Sequence, residues 1–448
     1  MASLFLFVAR LLCWAVVANA SLQIIPGGTW TATNTGKHVQ AHGAGIIKDG
    51  DTYYMIGEDK TEGSQFQNIN CYSSQNLVEW TYVGALLSRG SSGDLGPNRV
   101  VERPKVVHNK RTGQYVLYLH IDSSDYGEAK VGVATSSQVC GGYSYRGSFR
   151  PMNHQSRDMG LFVDDDDTGY LLSEDRENGL RIMRLSADYL SVESEVYTWS
   201  EKIESPAVLK KNGIYYMFGS HLTGWDPNDN VYSTATSMSG PWSGWKEFAD
   251  DGSNTYHSQT TFILPVGDTA VYMGDRWHSG NLKRSTYIWL PLSISGTDVW
   301  LENRVNWRFT DLQTGAWAPG PSENSYEGEQ ATLSGGARSV SCSGCSGSAA
   351  GYIGGPDGGV AEFSSVHSDA TTKTTIRIKF KNGDSDERFA DISVNNGSAQ
   401  RVAFVQTASE DGSSSFHANL NSGTNTIRIS GANGGWGPDI DRLMVPVS

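Results

Sequence analysis

Polar and apolar positions repeat along the first three hundred residues in one phrase. A polar turn leads into a tyrosine-rich apolar strand, which ends on polar or acidic groups. The copies are Asp51–Asp59, Gln114–Asp122, Gly169–Asp175, Gly213–His221 and Thr269–Asp275. Ahead of each lies a second short apolar run: Ala44–Ile47, Pro104–Val107, Gly160–Val163, Pro206–Leu209 and Thr261–Leu264. A third run follows, as in Lys130–Thr135 and Gly179–Leu185. Runs of β-branched and aromatic residues entered through turns predict strands, and no sustained helical period competes with them. Three or four antiparallel strands per repeat, over roughly 45–60 residues, make a unit the size of a propeller blade. The reading is all-β: a five-bladed β-propeller over residues 21–312. A generic sandwich array would explain the strands but not their common phase.

The first strand of each blade lines the central channel, so the residues just before these strands converge on the axis. They are His42-Gly43, Glu102-Arg103, Arg157-Asp158, Glu204-Ser205 and Gln259-Thr260. Taken singly, an acid before a strand is an ordinary solvated turn residue, and Arg103 and Arg157 offer such acids ion-pair partners. Three acids and a carboxamide in one phase point instead to glycosidic cleavage. There one carboxylic acid protonates the leaving oxygen and a second group handles water. Glu58, Tyr126, Trp225 and Trp277 are candidates for gripping the sugar at the same end.

Composition shifts after Asp311. Residues 313–323 carry Gly and Pro punctuation and read as a linker. Residues 324–448 then alternate as strands, such as Thr374–Phe380 and Thr424–Ile429, between Gly-rich turns. That pattern predicts a jelly-roll-like β-sandwich module. Tyr352, Asn433, Trp436 and Asp439 supply an aromatic face with amide and carboxylate groups suited to a hexose. A tethered sugar-binding module would raise the local concentration of polymer at the catalytic site.

Charge and the chain start narrow the class. A net charge of −13 excludes a phosphate-binding surface of the nucleic-acid type. Residues 1–20 have the form of a secretory signal: an apolar run from Leu4 to Val17, broken by Arg10 and ending in Ala18-Asn19-Ala20. The expected mature protein is secreted and extracellular, monomeric, without membrane or nucleic-acid partners. Four cysteines then remain. Cys342 and Cys345 are placed to pair, whereas Cys71 and Cys140 could pair or stay as buried thiols. Asn396-Gly397-Ser398 is an N-glycosylation sequon.

The phrases Ala41–Ile46, Glu102–Val106, Arg157–Gly160 and Glu204–Val208 resemble glycoside hydrolase family 43, most closely its exo-β-1,3-galactanase members. The resemblance implies an inverting hydrolase releasing galactose from β-1,3-galactan, with Glu204 as general acid and Asp158 tuning its pKa. It also implies an aspartate at position 43 as base, where this chain has glycine. Glu102 and Gln259 remain as the water-handling candidates. Competing readings on the same fold are an arabinofuranosidase or β-xylosidase, and a lectin that has lost its chemistry. The C-terminal segment resembles carbohydrate-binding module family 35 at Tyr326–Ala331, Gly351–Gly355 and Gly437–Leu443. That likeness implies a structural calcium held by Glu327, Glu329 and Asp441, oxygen ligands apt for that ion; catalysis would need no cofactor.

Overall fold

The structure, a computed structural model, describes residues 22–408 and 410–447; the expected signal segment 1–20 lies outside them. Five four-stranded antiparallel sheets follow one another, each built from four consecutive strands. The innermost strands are His42–Asp49, Arg99–Asn109, Met159–Val163, Ile203–Lys211 and Gln259–Val266, and neighbouring innermost strands pack together around the ring. These are blades I to V, as the repeats predict.

Blades stack face to face, which is why their second strands are apolar on both faces rather than alternating. Leu117, Leu119 and Ile121 of blade II pack on Ile56 and Ile69 of blade I; Leu171 and Met183 of blade III meet Val116 and Tyr118 of blade II. Burying each such side chain contributes about 1.5–3 kcal/mol. An outer strand such as Thr81–Ser88, by contrast, alternates exposed and half-buried positions over its first half. A disulfide, Cys71–Cys140, ties blade I to blade II, settling the pairing that spacing leaves open, and Cys342–Cys345 pair as expected.

Among the described residues no strand pairs across the seam between blades V and I. Side chains close it instead. The Tyr287 hydroxyl donates to Val39 O at 2.7 Å and accepts from Ala41 N at 2.9 Å, and Trp30 packs on Tyr287 and Trp289.

The C-terminal module is a two-sheet sandwich whose inner faces meet through Ile376, Ile378, Phe380, Phe363, Ile427 and Ile429. Two features go beyond the sequence reading. Thr29–Trp30, from the start of the propeller segment, adds to the module's larger sheet, in parallel with Ser414–Ser415. Within the stretch read as a linker, Ala316–Pro319 pairs with Trp307–Asp311 as a hairpin; Trp317 packs on Trp307 there, so an apolar contact orders it.

Candidate active site

Four of the five innermost strands carry a β-bulge next to the axis: between His42 and Gly45, Glu102 and Lys105, Glu204 and Ala207, and Thr260 and Phe262. A bulge re-aims side chains at a strand end. Its cost shows in the left-handed φ of Gly43 (57°), Arg103 (53°) and Ser205 (57°). Together these bulges turn the strand heads toward one end of the channel. There Glu58, Glu102, Tyr126, Asp158, Glu204, Trp225, Gln259 and Trp277 line a single cavity of about 220 Å³. All eight are residues singled out from the sequence.

Arg103 organises the floor. Its guanidinium reaches Asp158 Oδ2 at 2.8 Å, Ser205 Oγ at 2.6 Å and Gln259 Oε1 at 2.5 Å. Asp158 also accepts from Ser205 Oγ at 2.7 Å. Burial opposes its ionisation, but the Arg103 charge outweighs it and holds the carboxyl below its ordinary range.

Glu204 is the opposite case. It is 5 % exposed, and burial, then the negative charges of Asp158 and Glu174, push its pKa up to about 9. At neutral pH it is a protonated acid. Gln259 Nε2 donates to Glu204 Oε1 at 2.8 Å and Arg176 Nη2 to Oε2 at 3.1 Å. Gln259 itself is fully engaged: Nε2 also donates to Ser220, and Oε1 accepts from Arg103 and from Trp277 Nε1 at 2.9 Å. Just before it, Asn254–His257 hold four successive left-handed residues, a rare conformation that concentrates at functional sites.

Glu102 stays ionised. Burial works against this, but the Lys60 ammonium at 3.0 Å and His120 at 3.5 Å hold its carboxyl far below the usual range. Lys60 is a residue that sequence reasoning missed. It is buried, pairs with Glu58 Oε2 at 2.6 Å and lies over the Trp225 and Trp277 rings. Arg176, also missed, pairs with Glu174 at 2.8 Å and Glu204 at 3.1 Å. A signal for both existed: Glu58-Asp-Lys60 in blade I repeats as Glu174-Asp-Arg176 in blade III.

The glycine at 43 has a structural reason. A Cβ there would lie 2.1 Å from Glu58 Oε1, so the Glu58 carboxylate fills the space an aspartate would need. Glu58 Oε1 in turn accepts from Arg103 N at 2.8 Å.

In the module, Tyr352, Trp436 and Asp439 line a second cavity of about 360 Å³. Both aromatic rings are exposed, with Tyr352 43 % and Trp436 45 % accessible. Asn433 is not among the lining residues: in its left-handed turn its Oδ1 accepts from Arg401 at 2.9 Å. Arg388, which the sequence reading did not select, lines the cavity in its place and donates to Gly437 O at 3.0 Å. Of the expected calcium ligands, Glu327 and Asp441 both accept from Ser346 Oγ, and Glu329 Oε2 is buried without a partner. The acids thus ring the 346–348 loop, but their oxygens do not converge as a three-ligand cluster the way the ligand atoms of Glu102, His120 and Asp158 do.

Comparison with known proteins places this geometry. The family model "Glycosyl hydrolases family 43" matches residues 38–260. An exo-β-1,3-galactanase structure from Phanerochaete chrysosporium, described with galactose, is 38 % identical, with 94 % of this chain and 99 % of that one covered and a TM-score of 0.67. One from Clostridium thermocellum is 25 % identical, covering 94 % of this chain and 100 % of that one, at a TM-score of 0.63. An arabinoxylan arabinofuranohydrolase of Bacillus subtilis is 25 % identical over 44 % of this chain, which spans only 45 % of that protein's length.

One expectation is corrected. The module matches "Alpha-galactosidase, CBM13 domain" over residues 360–445, not family 35. The family 35 likeness rested largely on Tyr326–Ala331 and Gly351–Gly355, short segments outside that stretch, whereas the match follows the body of the sandwich. The site at the propeller axis and the whole-length likeness lead to one conclusion: this chain belongs to glycoside hydrolase family 43.

Proposed function

We propose that the protein is an inverting, exo-acting hydrolase that releases galactose from β-1,3-galactan. The observation that carries the chemistry is Glu204, kept protonated by burial beside the ionised Asp158. Its proton passes to the glycosidic oxygen as the bond breaks, while water attacks the anomeric carbon from the opposite face. The cavity of about 220 Å³, below the roughly 300–1,000 Å³ of common ligand sites, suits a single terminal sugar. Trp225 and Trp277, with ring centroids 5.0 Å apart and nearly perpendicular, supply its apolar wall. Galactan is favoured as substrate by the end-to-end likeness to the Phanerochaete galactanase; variants of that enzyme are described with β-1,3-galactotriose.

Two groups can handle the water. Glu102 is ionised and therefore a base. Gln259 as an ordinary carboxamide is a poor base, and it holds water or the sugar only by exchanging one of its bonds to Glu204, Ser220, Arg103 or Trp277. Azide added to Glu102→Gln and Gln259→Ala variants separates them, because an anionic nucleophile restores turnover only where the missing group activated water.

The remaining assignments complete this reading. Tyr352, Trp436 and Asp439 grip a sugar of the polymer, calcium is held by Glu327, Glu329 and Asp441, and the protein acts outside the cell as a monomer. The deciding experiment is product release from β-1,3-galactan and arabinoxylan, followed by NMR. α-Galactose as first product from galactan alone is the expected result. Arabinose from arabinoxylan would replace the proposal with an arabinofuranosidase, and binding without release would leave a lectin.

A further inference from the structure

A cleft of about 570 Å³ lies between blade I and the module, distinct from both cavities described above. Its propeller wall includes Asp59, Asn70 and Tyr82, and its module wall Glu387 and Phe389. The two walls are pinned around it. Asn281 Nδ2 donates to Ser385 O at 2.9 Å and to Gln406 Oε1 at 2.7 Å, and Lys283 pairs with Asp386.

The floor of the cleft holds an unused acceptor. Asn70 is 4 % exposed, and its Oδ1 has no hydrogen-bond partner. Its orientation is fixed, because Nδ2 donates to Gln40 O at 3.0 Å and faces Asp59 Oδ2 at 3.5 Å. A buried amide oxygen left without a donor is unfavourable, and a hydroxyl reaching it from the cleft would satisfy it. Glu387 offers a second acceptor, which takes a bond from His38 N at 3.3 Å. Tyr82 and Phe389 add apolar ring surface. Of the cations lining the cleft, Lys283 pairs with Asp386, Arg284 with Glu410, and Lys37 acts on Glu387, so the cleft does not call for an anion.

From this we infer that the cleft is a second binding site for a neutral saccharide, held by Asn70, Glu387 and the rings of Tyr82 and Phe389. Cavities of this size between domains are common places for ligands. The inference rests on the sugar-directed reading of the protein, but not on Glu204 chemistry. The site also touches the catalytic cavity from behind. Asp59 and Thr61 line the cleft, while Lys60 between them reaches Glu58 and Glu102. A sugar in the cleft therefore braces the turn that carries Lys60.

Hydrogen exchange on the full chain tests this, with β-1,3-galactobiose and galactose as probes in a Glu204→Gln background. Segment 385–389 is the diagnostic, because apart from Arg388, which lines the module cavity, it lines neither the catalytic nor the module cavity. The expected result is saturable, severalfold slowing there, retained in Trp436→Ala and lost in both Tyr82→Ala and Phe389→Ala. Those two variants in a Glu204 background should still release galactose, which shows that they fold. Unchanged exchange at 385–389 with both probes overturns the proposal, as does protection that survives both cleft substitutions. If the wild type cleaves no galactan, the same measurement with arabinose and xylose added still decides the cleft, so the two readings fail separately.

Discussion

Blades I and III build the same device and obtain opposite results. In each, the second strand ends in Glu-Asp-basic, and the basic side chain joins that glutamate to the acid at the head of the next blade: Lys60 joins Glu58 to Glu102, and Arg176 joins Glu174 to Glu204. Lys60 is sealed in, and with His120 it keeps Glu102 charged. The Arg176 side chain is 41 % exposed, so solvent weakens its hold, while Asp158 and Glu174 crowd Glu204 with like charge. A buried cation fixes a carboxylate; an exposed one leaves its partner free to carry a proton. Separating the pKa values of two acids in this way divides labour between them.

Several experiments break or sharpen this contrast. The largest effect is expected from Glu204→Gln, which removes the proton donor. Galactose release should fall about 10²–10⁴-fold with the unfolding transition unchanged. Next is Lys60→Met, which leaves two buried carboxylates facing each other. Loss of one partner of a buried ion pair costs about 3–5 kcal/mol, readable by denaturant unfolding. The acidic limb of kcat/KM should move to higher pH as Glu102 becomes harder to ionise.

Asp158→Asn should act on the alkaline limb. Glu204 works protonated, so activity is present below its pKa of about 9 and lost as pH rises through it. Burial and Asp158 both raise that value; without the aspartate charge it falls, and the limb shifts to lower pH. A shift upward would refute the tuning role. The smallest effect is expected from Arg176→Ala. The Arg176 side chain is exposed although Glu174 and Glu204 are buried, so its loss should cost less than the roughly 3–5 kcal/mol of a fully buried pair, while the alkaline limb rises slightly. If Arg176→Ala instead matched Lys60→Met in its cost, the two devices would be equivalent and the contrast would fail.

How much of this was legible depended on period. The blades, and the heads Glu102, Asp158, Glu204 and Gln259, showed because five strands repeat in phase with their acids. Lys60 and Arg176 did not, since they stand just past the apolar phrase, where a basic residue usually faces water. The exchange between Gly43 and Glu58 was half visible: the glycine was evident, but only the fold shows Glu58 Oε1 in the space it leaves. Asn433 was chosen for its amide, and its backbone turn aims that amide at Arg401 instead. The module's family was misread because end motifs were weighed above the strands between them. Thr29–Trp30 joining the module left no local trace, as parallel pairing between distant segments has no sequence period.

That two-residue strand has a consequence in time. Its partners, Ser414 and Ser415, lie 385 residues further along the chain, so they leave the ribosome long after it does. Each blade can form as its four strands emerge, but Trp30 guards the seam between the first blade and the last. Contacts so far apart in sequence form slowly, because a long loop must close first. The support that the module gives Trp30 at the seam is therefore expected to arrive last, and a chain cut before the module would rely on the Tyr287 bonds alone.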